Sequence, residues 1–295
     1  MLLRVAPLLF VLFWSTGFIA SKVGATHAEP FTFLSVRFLL VLAILIPWAV
    51  WRKTAWPSLP VMVQAGLTGL FIHTAYLGGV LWALRDGMPA GVVAVIVSTQ
   101  PILTALLAGA LLGEWPGRRH WAGLGLGLAG VLLVFAPKIA DVSVGEVLGG
   151  FGLFSAFAAL LGITLGTLNQ KARGMSGDLV ALTIAQYSAA FASSLIIAGL
   201  SETMVVDWTA EFAAALAWLV VVLSIGAIGL LMLMIRAREV SRVTSLFYLV
   251  PPTTALMAAV IFGETLSIVQ IVGILFVMAA VFVIRPMAAQ APAKR

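Results

Sequence analysis

Ten apolar runs, each close to twenty residues and bounded by charge, glycine or proline, divide the chain from end to end. A helix needs about 20 mostly apolar residues to cross the hydrocarbon core of a bilayer, so such runs read as membrane spans. Their approximate positions are 3 to 24, 30 to 51, 58 to 84, 88 to 112, 118 to 136, 145 to 170, 178 to 200, 212 to 235, 240 to 263 and 267 to 285. The connecting segments are short, and none is long or polar enough for a water-soluble domain. Only 9% of the residues are charged, whereas a soluble domain carries charge at about a quarter of its positions. The expected fold is therefore all-α and integral to a membrane. The first run, behind Arg4, also has the shape of a signal-peptide core. Its counterpart later in the chain and the lack of a convincing small-residue cleavage site favour a span. Cysteine is absent, which removes disulfide and thiol chemistry.

Positive charge sets the orientation. With the N-terminus in the cytoplasm, the inside segments hold Arg4, Arg52, Lys53, Arg118, Arg119, Lys171, Arg173, Arg236, Arg238, Arg242, Arg285, Lys294 and Arg295, thirteen of the seventeen Lys and Arg. The outside segments hold only Lys22, Arg85 and Lys138, while Arg37 lies within a span. This asymmetry predicts an inner-membrane protein with both termini cytoplasmic, which requires an even number of spans. The net charge of +6 is dispersed between apolar runs, a pattern of topology and not of phosphate tracking, so nucleic acid is not an expected partner.

The chain also repeats itself. Residues 100 to 114, QPILTALLAGALLGE, and residues 250 to 264, VPPTTALMAAVIFGE, agree at seven of fifteen positions at an offset of 150. Gly123, Val131 and Leu133 face Gly273, Val281 and Val283 at the same offset, and an offset of 149 pairs Gly17 with Gly166, Lys22 with Lys171 and Arg37 with Gln186. The expected organisation is two five-helix units, residues 1–141 and 142–287, with a short polar cytoplasmic tail at 288–295. Five is odd, so the second unit would enter the membrane from the opposite side. Inverted repeats around a central cavity are a signature of carriers that open alternately to each side.

Candidate site residues follow from what a membrane interior tolerates. Pro101, Pro251 and Pro252 fall near the middle of the fourth and ninth spans, where each would bend its helix and free backbone carbonyls; they either line a cavity or mark plain kinked packing. Glu114 and Glu264 close those same spans, and they either fasten each helix to the next element or take part in coupling. Arg37 is a cation inside a span, and intramembrane ionisable groups are functional candidates by default. It either meets a substrate carboxylate, snorkels, or pairs with an acid. His73 and Tyr76 share a helix face at three-residue spacing, either as substrate contacts or as hydrogen-bonded packing residues. Trp14, Gln100, Gln186 and Tyr248 complete the substrate-binding set, with Ser15, Thr16, Tyr187 and, late in the sixth span, Asn169 as further polar residues; each either lines the cavity or bonds to a helix backbone. Gly123, Gly127 and Gly130 form a small-residue face, for close helix packing or a dimer contact.

Enzyme machinery is missing: there is no H-E-x-x-H, no G-x-S-x-G and no phosphate-binding Gly-rich loop, so neither proteolysis nor nucleotide-driven pumping has visible parts. No metal set and no cofactor is expected. The chain resembles the drug/metabolite transporter superfamily, in its ten-helix EamA-type branch. The resemblance rests on FWSTGFIASK, EPFTFLSVRFLL, the two proline-to-Gly-Glu stretches and the glycine-bearing span after each. It implies inverted five-plus-five symmetry around a central cavity and secondary active export of small metabolites, amino acids foremost, driven by protons or by the solute's own gradient. The alternatives are import of a vitamin-like or nucleotide-like compound, drug efflux, or a channel. The expected partners are the lipid bilayer, a small-molecule substrate and protons as a candidate coupling ion, in a monomer or homodimer. The second half departs from the first at Leu179, which stands where the first half has Pro30.

Overall fold

A computed structural model describes residues 2–140, 142–143, 150–172, 177–237, 243, 245–262 and 266–284. Helices run in chain order as α1 (Leu2–His27), α2 (Pro30–Trp51), α3 (Leu59–Arg85), α4 (Ala90–Leu112), α5 (Arg118–Ile139), α6 (Gly152–Ala172), α7 (Leu179–Ser201), α8 (Ala210–Met234), α9 (Val250–Phe262) and α10 (Ile268–Ile284). No strand occurs among the described residues; the one extended contact is an isolated bridge between Ala28 and Val206. Among the described residues seven helices, α2 to α8, are long and apolar enough to cross a membrane, and shorter apolar stretches lie at Val5–Gly17, Leu246–Met257 and Ile268–Ile284. The protein is an all-α membrane protein, and large apolar side chains such as Trp51, Leu200, Val260 and Ile268 face outward, where lipid and not water is the solvent.

Pro101, Pro251 and Pro252 do not sit inside continuous helices. α4 stops at Ser98, turns at Thr99 and restarts at Gln100, which places Pro101 in the first turn of a new helix. A 3₁₀ turn over Ser245–Leu249 precedes α9, so Pro251 and Pro252 also occupy a first turn. A proline there costs no hydrogen bond, because the first amides of a helix have no intrahelical partner. Thr99 satisfies the break locally by donating from Oγ1 to the Ile96 carbonyl at 2.7 Å. α4 then ends at Gly113 with φ +71°, a left-handed cap that glycine adopts without strain.

α3 and α8 are each interrupted by a π-helical segment, at Leu70–Gly78 and Leu219–Ala227. Such wide turns are rare and concentrate at functional sites. Several boundaries recur along the chain: the two π segments start 149 residues apart, as do α2 and α7, while Gln100 and Val250, and the starts of α5 and α10, are 150 apart. Packing recurs too. α1 lies against the π segment of α8 and against α9, and α6 lies against the π segment of α3 and the second half of α4; α2 pairs with α7, and α5 with α10. The glycine face of α5 is filled within the chain, Gly123 by Ile284, Gly127 by Tyr248 and Gly130 by the α10 backbone at Gly273.

One end of the bundle is bound by a polar latch. The Glu202 carboxylate, fully shielded, accepts from the first amides of α2, Phe31 N at 2.8 Å and Thr32 N at 2.7 Å, and from Thr32 Oγ1 at 2.7 Å. α2 has no cap from its own Glu29 side chain; an anion from the end of α7 does that work, favoured by the helix dipole. Glu29 instead accepts from Arg85 Nη2 at 2.5 Å and from Thr203 N and Oγ1 at 2.5 and 2.7 Å, and Arg85 lies over the Trp82 ring. The Thr203 hydroxyl bond, helped by the Thr203 amide and the Arg85 charge and opposed by desolvation, holds the Glu29 carboxyl below its ordinary value of 4.5. A depressed folded-state value means that the stabilisation is complete above the unfolded value and is lost as pH falls through the folded one. The wild-type protein is therefore expected to melt above Glu29→Gln at neutral pH, with the gap closing on acidification below about pH 4.5. Thermal melts in detergent between about pH 3 and 7 test this; a gap independent of pH would show that the carboxylate charge is not what the latch holds.

Candidate functional site

At the middle of the bundle, α2, α3, α7 and α8 bring polar groups together away from lipid. Arg37 is buried and donates from Nε to Ser224 Oγ at 2.9 Å. Ser224 comes from the π segment of α8, and its carbonyl accepts from the Tyr187 hydroxyl at 3.1 Å. The Tyr187 ring stacks on His73, with centroids 4.3 Å apart and planes 15° from parallel. Phe38 closes on both rings, 5.8 Å from His73 and 5.4 Å from Tyr187. Neither nitrogen of His73 has a hydrogen-bond partner among the described residues. Gln186 lies beside the ring, close enough to influence it electrostatically but outside hydrogen-bond geometry; its Nε2 faces Met232 Sδ at 4.0 Å. Tyr76, also on the π segment of α3, is within electrostatic reach of Arg37 and adjoins Trp14. Trp14 belongs to an aromatic trio with Phe10 and Phe247, at centroid distances of 5.1 and 5.0 Å.

Of the expected site residues, Arg37, His73, Tyr76, Gln186 and Trp14 form one neighbourhood, and two others lie apart. The Tyr248 hydroxyl donates to the Leu124 carbonyl at 3.3 Å, and its ring packs with Ala105, Leu124, Val131 and Val277 between α5 and α10. Gln100 donates to Thr104 within its own helix at 3.2 Å, leaving its Oε1 buried and unpartnered among the described residues. Asn169 joins Gln64 and Thr68 in a separate amide cluster between α6 and α3. Ser15 and Thr254 tie α1 to α9. Glu114 Oε1 stands 3.9 Å from Lys171 Nζ; Glu264 lies outside the described residues. Ser224 and Phe38 are not among the expected site residues. Ser224 carried a signal, a lone hydroxyl in the run VVVLSIGAIGLL, whereas nothing distinguishes Phe38 from its apolar neighbours.

The electrostatics are lopsided. The seven described Asp and Glu, at 29, 86, 114, 178, 202, 207 and 211, all lie at helix ends or in connections. Arg37 has no carboxylate within ion-pair distance among the described residues, unlike Arg52 with Asp178 or Arg85 with Glu29. Its charge is permanent at any accessible pH. The neighbourhood thus offers one uncompensated cation walled by neutral aromatic and amide groups, all of them buried in this conformation. Among the described residues no group of three or more His, Asp or Glu side chains is placed to hold a metal ion.

Comparison with known proteins agrees with this architecture. Residues 5–136 match the EamA-like transporter family. The chain is 28% identical to a probable amino-acid metabolite efflux pump of Salmonella typhimurium, over 94% of this chain and 92% of that one. It is also 28% identical to the uncharacterized inner membrane transporter YedA of Escherichia coli, over 89% and 84%. A crystal structure of a protein 20% identical in sequence superposes with a TM-score of 0.78 over 96% of both chains; at that identity the likeness is one of fold. The family match over residues 5–136, with relatives that run nearly the length of both chains, makes this chain similar to the EamA-like transporters.

Proposed function

We propose that the protein is a secondary active carrier of the bacterial inner membrane that exports amino acids or similar amphipathic metabolites by alternating access. The observation that carries this reading is the buried cluster of Arg37, His73, Tyr76, Gln186 and Tyr187, a polar and aromatic group within membrane helices that is sealed from solvent. A carrier needs such an occludable site, whereas a channel needs a continuous polar path. In this reading the chain crosses the membrane ten times, as units 1–141 and 142–287 of opposite orientation with both termini cytoplasmic. The recurrence of helix boundaries at 149 and 150 residues supports it, and the π segments and the breaks before Pro101 and Pro251 are the joints at which the units rock. The Salmonella relative, a probable amino-acid metabolite efflux pump, supports the substrate class.

Counterflow in proteoliposomes with labelled amino acids and related metabolites, with and without an imposed proton gradient, tests the proposal. Saturable exchange of at least one solute is expected, with a response to the gradient if protons are coupled. His73→Ala and Tyr76→Ala are each expected to lower kcat/KM about 10-fold or more, the cost of about 1.4 kcal/mol of lost contact. Flux without saturation would favour a channel, and unchanged kinetics in both variants would move the site elsewhere.

A further inference from the structure

We propose that the site selects by net charge, taking amphipathic monocarboxylates in preference to zwitterions of the same shape. The inference rests on the carrier reading above and narrows its substrate class, setting amphipathic acids without an amino group ahead of the amino acids. Arg37 is 4% exposed and sits in a membrane helix. Its bond to Ser224 is the one hydrogen bond it makes among the described residues, through Nε. A guanidinium has five N–H donors arranged in a planar fork, so both terminal nitrogens remain for a carboxylate, which they match in a bidentate pair. The surrounding groups, Ser224, Tyr76, Tyr187, Gln186 and Phe38, carry no charge, and no described Asp or Glu lies within reach. A solute ammonium would therefore meet no anion here.

The charge of the loaded site follows directly. A monoanion on Arg37 leaves it neutral. A zwitterion contributes nothing net and leaves one positive charge, which must be carried through the membrane interior during the alternation. A lone charge in hydrocarbon is expensive, and a carboxylate placed against Arg37 removes that cost only when no second cation accompanies it. The stacked His73 and Tyr187 rings, with Phe38, supply the apolar wall for a branched or aromatic body. The class is thus the carboxylic acids with an apolar tail and no amino group, of which the 2-oxo acid relatives of amino acids are the simplest members.

Phenylpyruvate and phenylalanine share a body and differ in the group beside the carboxylate, so they are the probes. Counterflow of each is measured at neutral pH in proteoliposomes holding the full chain. Phenylpyruvate is expected to exceed phenylalanine in kcat/KM by about 30-fold or more, the scale set by a charge at mid-bilayer. Arg37→Gln is expected to lower phenylpyruvate transport by a similar factor and phenylalanine transport by less, so that the preference between them is lost, while Arg37→Lys keeps the wild-type preference because it keeps the charge. A purely structural Arg37 would depress both solutes equally. Phenylalanine moving better than phenylpyruvate in the wild-type protein overturns the charge rule and leaves the carrier standing. Movement of neither overturns the rule as well, and the wider solute panel then decides whether the carrier reading falls with it.

Discussion

Leucine at Gly130 or at Gly273 is expected to leave almost no correctly packed protein in the membrane. The two glycines face each other where α5 crosses α10. A Cβ at Gly130 would lie 2.7 Å from the Gly273 carbonyl oxygen and 2.8 Å from Val277 N; a Cβ at Gly273 would lie 2.7 Å from the Gly130 oxygen and 2.8 Å from Val134 N. These obstacles are backbone atoms of a neighbouring helix, so a rotamer change cannot clear them, and the helices must separate. Separation forfeits the contacts of Val131, Val277 and Ile284, all buried in the same cluster. In lipid, close packing of small residues is the main attraction between helices, with little hydrophobic force to replace it. Gly125 on the same helix is the control, because a Cβ there meets nothing within 4 Å. Gly125→Ala is expected to be neutral or to stabilise by up to about 1 kcal/mol through helix propensity. Size-exclusion profiles and melting curves in detergent separate the cases. A monodisperse Gly130→Leu protein with the wild-type midpoint would show that the helices do not cross as closely as the structure has them.

These crossing glycines illustrate how much of the architecture was readable in one dimension. The long apolar runs gave the helices α2 to α8 because hydropathy over twenty residues is a local property, and the same holds for Arg37 and His73 as ions or near-ions in an apolar setting. The glycine face of α5 was visible as a pattern, but not that α10 and Tyr248 of the same chain fill it. What escaped notice depends on distant partners or on backbone geometry without a residue signature. The π segments carry no composition that sets them apart from ordinary helix. The role of Glu202 as the cap of α2 joins residues about 170 positions apart, and a helix that opens on Pro30 gives no hint of where its anion comes from. Tyr248 looked like a site residue because it precedes a proline near mid-span; its hydroxyl is instead used by the Leu124 carbonyl. Ser224 showed in the sequence as a lone hydroxyl in an apolar run, but that Arg37 reaches it depends on contact between helices, at residues 187 positions apart.

Arg37→Met is expected to separate stability from function, raising or preserving the first while removing the second. Methionine follows the stem of arginine and adapts to irregular space, so the volume of the buried stem has a substitute. The variant loses one hydrogen bond, to Ser224, whose net worth with a charged donor is about 1.5–3 kcal/mol. Against this stands the desolvation of an unpaired guanidinium, still several kcal/mol after relaxation. The second figure is at least as large, so the melting midpoint in detergent is expected to hold or rise. Ser224 keeps a role after the change, because its carbonyl still receives the Tyr187 hydroxyl. Transport of a carboxylate, by contrast, loses the one cation that the buried neighbourhood offers, and kcat/KM is expected to fall about 100-fold, equivalent to about 2.7 kcal/mol of lost interaction. A structural arginine gives the opposite pair of results, a lowered midpoint with proportionate loss of all activity. That outcome would mean that Arg37 serves as the tie between α2 and α8, and that the cation which receives the substrate lies elsewhere. A charge kept in a membrane at a cost to folding, with no carboxylate partner among the described residues, is what a binding site for a transient anion requires.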